Sequence, residues 1–151
     1  MRDVDKLLSE IQKNLKAPKS QYNSFGKYHY RGKEDILEGI KPILGEGSVT
    51  VIDDVQLIGD RFYVKSTARL SLGNEIIEAI GWAREPLNKK GMDESMITGA
   101  AASYAGKRAL GNLFAIDDTK DNDFHHGQQQ PQAANVQQQQ QYYSNDQYGG
   151  F

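Results

Sequence analysis

The sequence predicts an α+β domain, an antiparallel three-stranded β-meander packed by helices on one face, with a disordered C-terminal tail. Three observations predict it. Three runs rich in β-branched residues follow one another, separated only by Gly59-Asp60 and Gly73-Asn74. Turns that short join antiparallel neighbours. Apolar residues recur at helical spacing before and after those runs. Beyond Thr119 the composition shifts to Gln, then Tyr, Ser, Asn and Gly, which cannot bury a core.

The elements follow in order. Leu7, Leu8, Ile11 and Leu15 place an amphipathic helix at residues 3–15, with Asp3 as its N-cap. Ala17-Pro18 ends it. Residues 21–33 are a polar, aromatic and basic connection. Residues 34–44 form a second helix with Ile36, Leu37, Ile40 and Leu44 on one side. Pro42 distorts its last turn, because proline lacks the N–H and clashes with the preceding turn. The strands are residues 49–58, 61–72 and 75–84. A loop with Pro86 and two lysines leads to a long helix, residues 93–116, capped by Asp93 or Ser95. Helices before and after a meander are laid on one face of the sheet.

The long helix carries Gly99, Gly106 and Gly111. Each costs about 1 kcal/mol relative to alanine in a helix interior. Close approach of a neighbouring backbone or a ligand is the expected compensation. Ala102, Ala105, Ala109, Leu113 and Ile116 form one stripe at 3.6-residue spacing, which lets the helix lie near the sheet. Gly99 and Gly111 lie away from that stripe and predict a second close contact, with another subunit or a sugar-phosphate backbone. The alternative is a glycine-weakened surface helix.

Charge is divided unevenly. Residues 1–116 hold 17 Lys+Arg against 15 Asp+Glu, and residues 117–151 hold one Lys against five Asp. A mildly basic body with an acidic tail permits a polyanion partner. The division also sets the expected domains: a folded body, 1–116, and an acidic, Gln-rich disordered tail, 117–151. There is no cysteine, so disulfides, thiolate nucleophiles and zinc-thiolate sites are excluded. The charged start MRDVDKLLSEIQ has no signal-peptide core, and no run approaches the roughly 18 apolar residues that span a bilayer. A soluble protein of the cytoplasm, without a membrane partner, is expected.

Catalytic motifs are poor. His29 is isolated, His125 and His126 begin the tail, and no Walker-type glycine loop is present. Asp117, Asp118, Asp121 and Asp123 read as a solvated acidic run rather than a metal site. The expectation is a protein that is not an enzyme and holds no cofactor and no metal.

Two constellations point to nucleic acid. In RFYVKSTARL, side-chain alternation puts Arg61, Tyr63, Lys65, Thr67 and Arg69 on one face, and Phe62, Val64, Ala68 and Leu70 on the other. Cations for phosphates beside rings for bases is how sequence-tolerant single-strand binding works. A solvated strand face is the alternative. SFGKYHYRGK packs Phe25, Lys27, Tyr28, His29, Tyr30, Arg31 and Lys33 into ten positions. It is either a DNA-contacting loop or a surface loop whose rings tuck onto the domain.

Two stretches resemble the ERF (essential recombination function) family of phage single-strand annealing proteins. In FGKYHYRGKEDILEGIKPIL, residues Tyr30, Glu34, Asp35, Ile36, Leu37, Lys41, Pro42 and Leu44 fall on the family's N-terminal block. In TGAAASYAGKRALGNLFAIDD, the pairs Thr98-Gly99, Ser103-Tyr104, Ala109-Leu110 and Asp117-Asp118 match a second block. The family places two arginines after its Tyr-Ala pair. Here Gly106 and Lys107 stand there, and Arg108 replaces an aromatic. The basic pair is displaced by one residue, and Lys107 is the direct carry-over.

The resemblance implies the β-β-β-α core of annealing recombinases. It also implies ATP-independent single-stranded-DNA binding and strand annealing in phage recombination, within the bacterial host's cytoplasm, by a homo-oligomeric ring or filament. The expected phosphate contacts are Lys65, Arg69, Lys107 and Arg108, with Arg61, Lys27, Arg31 and Lys33 beside them. Tyr63, Tyr30 and Tyr28 are the expected stacking residues. Two other readings stand: a passive single-stranded-DNA-binding protein, and an oligomeric assembly protein that does not bind nucleic acid. The tip Tyr148-Gly-Gly-Phe151 is either a docking peptide for a host replication or recombination protein, or the end of a solubilising tail.

Overall fold

Strand alternation closes the sheet onto the helices. Val64, Ser66, Ala68 and Leu70 point to one side and are fully buried, while Tyr63, Lys65, Thr67 and Arg69 between them stay half-buried on the other. A computed structural model describes residues 1–116. The expectations for the acidic run from Asp117, the Gln-rich tail and the Phe151 tip lie outside the described residues.

The order is α1 (Asp3–Asn14), β1 (Gln21–Asn23), β2 (Tyr28–Tyr30), α2 (Lys33–Ile40), β3 (Ser48–Ile58), β4 (Arg61–Leu72), β5 (Glu75–Arg84) and α3 (Glu94–Phe114). The meander β3-β4-β5 is antiparallel throughout, and β1-β2 makes a separate hairpin. Gly59 and Gly73 sit at φ +64° and +58° in the two tight turns, where a side chain would be strained. The fold class is α+β, as the sequence predicts, with one addition. The stretch read as an irregular connection contains the β1-β2 hairpin.

α3 lies across β4 and β5, α2 packs on α3, and α1 covers the end of the sheet. The main core joins Val4, Ile11, Ile36, Ile40, Leu70, Leu110 and Phe114. Side-chain hydrogen bonds lock α1 in place: Val4 N–H donates to Glu75 Oε2 at 2.8 Å, and Gln12 Nε2 donates to the Leu113 carbonyl at 3.0 Å.

Element ends differ from expectation in small, explicable ways. Asp3 is the first helical residue of α1 rather than its cap. Arg2 is the cap, and its N–H donates to Asp5 at 3.1 Å. α2 stops at Ile40, two residues before Pro42. α3 ends at Phe114, with Ala115 in the left-handed region at φ 54°.

Asp93 caps α3, accepting from Met96 N–H at 2.9 Å and Ser95 Oγ at 2.7 Å. Those two donors hold its carboxyl below the usual carboxylate range. A depressed folded value gives stability that is present above the unfolded value and lost as pH falls through the folded one. The thermal midpoint is therefore expected to fall on acidification below about pH 4. Asp93→Ala is expected to lower the midpoint at neutral pH and to flatten part of that acid dependence. Midpoints of the two proteins at a series of pH values check this, and parallel curves would remove the cap's contribution.

Gly81 on β5 is buried. A Cβ there would lie under 3.0 Å from the Ala105 carbonyl oxygen, the Ala109 nitrogen and Arg108 Cβ. The alanine stripe therefore meets a strand glycine, and the α3 backbone rests on β5. By contrast, a Cβ at Gly99 or Gly111 would meet nothing within 4 Å. Both therefore stay open within the protomer, and the contact expected for that pair, with another subunit or a sugar-phosphate backbone, lies outside it. Gly106 is the helix glycine with a close neighbour: its Cβ position is 3.1 Å from Lys33 Cδ and 3.4 Å from Val51 Cγ1.

Candidate nucleic-acid interface

The expected DNA contacts divide between the open face of the meander and the β1-β2, α2 and α3 elements. One is the face away from the helices. Cross-strand register makes Asp54, Lys65 and Trp82 neighbours, and likewise Gln56, Tyr63 and Arg84, then Thr50, Arg69 and Glu78. The face is open: Ile52, Ile76, Ile80 and Trp82 are 39–48% exposed on it.

Its cations are largely engaged. Arg69 Nε donates to Glu78 at 2.6 Å. Arg61 Nη2 donates to the Glu85 carbonyl at 3.2 Å. The Lys65 ammonium stands 5.8 Å from the Trp82 ring centroid, a cation–π contact. The sequence reading missed Trp82 and Arg84. Their signal lay in the Gly73-Asn74 turn, whose register puts them beside Lys65 and Tyr63.

The other surface is built where α2 begins. Asp35 fixes it by accepting from Gly32 N–H at 2.7 Å, Ser20 Oγ at 2.7 Å and Gln21 Nε2 at 3.3 Å. One carboxylate thus ties the N-terminus of α2 to the base of the β1-β2 hairpin. Lys33 then runs its aliphatic stem over Gly106. A Cβ there would press on that stem, and the crossing brings Lys33 and Lys107 to one region from positions 74 residues apart.

Rings gather on the hairpin. Tyr28 and Tyr30 meet edge-on with centroids 6.2 Å apart, and Tyr22 and His29 at 4.9 Å. Burial, then Tyr28 and the carboxylates of Asp35 and Glu34, push the Tyr30 phenol above its ordinary value, so it stays a neutral donor at physiological pH.

Lys27, Tyr28, Tyr30 and Arg31 therefore belong to the β1-β2 hairpin and its exit, Lys33 to α2 and Lys107 to α3. Arg61, Tyr63, Lys65 and Arg69 belong to the open sheet face. Arg108 falls with neither: its Cβ lies against Gly81 of β5, and its guanidinium is 5.9 Å from the Tyr104 ring. The two stretches that carry the family resemblance, distant in sequence, meet through Lys33 and Gly106.

Among the described residues no three His, Asp or Glu side chains are grouped to hold a metal ion. No helix there is long and apolar enough to cross a membrane.

The family model described as ERF superfamily matches residues 4–149. The chain is 54% identical over 122 residues to the essential recombination function protein of Salmonella phage P22, a match covering 81% of this chain and 60% of that one. The chain thus spans about three fifths of the length of that relative. No solved structure matches.

Proposed function

Since the chain belongs to the ERF superfamily, we propose that it serves phage recombination by binding single-stranded DNA and annealing complementary strands without ATP. One observation carries the reading. The start of α2 meets the middle of α3 where Lys33 crosses Gly106, and Asp35 ties that same start to the base of the β1-β2 hairpin, which carries further cations and rings.

Annealing needs strands held by their phosphates with base edges free. Lys33, Lys107, Arg31 and Lys27 hold phosphates there, and Tyr28 and Tyr30 supply stacking faces. The sheet-face set, Arg61, Tyr63, Lys65 and Arg69, is the second candidate surface.

Binding is expected to favour single strands over duplex, to tolerate any sequence and to weaken with salt. Each phosphate contact on a single strand adds roughly −0.7 to the slope of log affinity against log salt. Titration of unstructured oligonucleotides at several salt concentrations tests this. Equal affinity in low and moderate salt would remove the phosphate contacts and favour the assembly protein that does not bind nucleic acid.

The protein acts as a homo-oligomer. The meander leaves two different unpaired edges, β3 and β5. Unlike edges suit a head-to-tail contact, which closes into a ring or runs into a filament. Val55, Leu57 and Phe62 extend the contact. They share one face of the β3-β4 hairpin beside buried Val64 and remain 47–61% exposed.

Leu57→Asp is expected to shift sedimentation toward monomer with the fold intact. A parent protein that sediments only as monomer at micromolar concentration, with and without DNA, would remove the oligomer.

A further inference from the structure

We infer that Phe25 is a wedge that stacks into the bases of bound single-stranded DNA. The inference rests on the single-strand-binding reading above and adds a contact residue to it. Phe25 is 97% exposed, more than any other large hydrophobic side chain among the described residues. A lone exposed apolar residue needs no explanation. This one sits on a turn that is built to hold it out.

Asn23 is 1% exposed, and its Oδ1 accepts from both Phe25 N–H and Gly26 N–H at 2.8 Å. Gly26 lies on the Tyr28 ring so closely that a Cβ there would clash with it. Lys27 holds the left-handed region at φ 53°, a conformation that a side chain adopts at a cost of roughly 1 kcal/mol. The buried Asn23 acceptor and the packed Gly26 fix the turn of a hairpin of three residue pairs, which alone is marginal in water. Lys27 adopts a costly conformation to close the turn, and the result leaves a phenyl ring in solvent.

Charge selects the occupant. Between Lys19 and Lys33 there is no acidic residue, whereas Lys19, Lys27, Arg31 and Lys33 are cationic. An apolar ring on a purely cationic, aromatic hairpin suits a polyanion that offers π-faces. An unpaired base offers one at every step, so the contact is indifferent to sequence. A ring between bases also interrupts the stack and presents the flanking bases to an incoming complementary strand.

The test uses the full chain and a mixed-sequence oligodeoxynucleotide with 2-aminopurine at interior positions. The readouts are affinity, salt slope, 2-aminopurine emission on binding and sedimentation, for the parent, Phe25→Ala, Phe25→Leu and Phe25→Trp. Phe25→Ala and Phe25→Leu are expected to lose roughly tenfold in affinity, with less emission change on binding. Phe25→Trp is expected to bind as the parent does. The salt slope should be the same in all four, because no phosphate contact is removed.

The thermal midpoint should not move, since Phe25 packs on nothing. Phe25→Ala or Phe25→Leu binding as tightly as the parent, with unchanged emission, would overturn the wedge and leave single-strand binding standing. Altered sedimentation at unchanged DNA affinity would also overturn it, assigning Phe25 to a subunit contact. A parent that binds no single strands would overturn both readings.

Discussion

Gly81→Ala is expected to destabilise the protein by roughly 2–3 kcal/mol, the upper part of the range for overpacking a filled site. The sign is the informative part. Glycine to alanine inside a strand ordinarily helps, by about 0.5–1 kcal/mol, because the unfolded chain loses freedom. Here the added methyl would meet backbone atoms of Ala105 and Ala109 on α3. Backbone in the middle of a helix cannot move aside as a flexible side chain can. α3 must lift from β5, and the small cluster of Val64, Ala101 and Ala105 must open with it.

Gly111→Ala is the matched control. Its methyl would meet nothing within 4 Å, so it is expected to stabilise by up to about 1 kcal/mol. Chemical denaturation of both variants measures the pair. A neutral Gly81→Ala would mean that α3 does not sit on β5 as described.

Charge removal at the convergence of α2 and α3 is expected to give the largest functional effect. Lys33→Gln together with Lys107→Gln keeps both aliphatic stems and deletes both charges. At low salt, the double variant is expected to lose roughly 10- to 100-fold in single-strand affinity, and its salt slope to shrink by about 1.4. Lys65→Gln with Arg69→Gln is expected to lose less. Arg108→Ala is expected to have an equal or smaller effect than Lys107→Gln alone. A larger loss from the sheet-face pair would move the strand to the open face of the sheet.

The meander was legible because its two signals are local. β-branched alternation marks a strand within a few residues, and Gly59 and Gly73 mark the turns at positive φ. The β1-β2 hairpin was not legible. Each of its strands has three residues, too few to show alternation. Its turn depends on the buried Asn23 side chain and on a lysine, not a glycine, in the left-handed region.

The helix glycines divide into two kinds. Gly99 and Gly111 face open space within the protomer, while Gly106 takes the Lys33 stem. Gly81 carried a readable signal, a single glycine inside a strand pattern opposite an alanine stripe.

The basic strand face was read correctly from alternation alone. Its partners Asp54, Glu78 and Trp82 required the cross-strand register, and they are what neutralise or occupy its cations. The meeting of Lys33 with Gly106 is a long-range contact that no local pattern encodes. It is this contact, rather than the strand face, on which the proposed strand-binding surface rests.

The most direct measurement is the annealing of two labelled complementary single strands by the full chain with no nucleotide present. Duplex is expected to form much faster than it does spontaneously, with the acceleration reduced by Lys33→Gln and Lys107→Gln. Single strands bound tightly but paired no faster than in buffer would contradict annealing and leave a passive single-strand-binding protein.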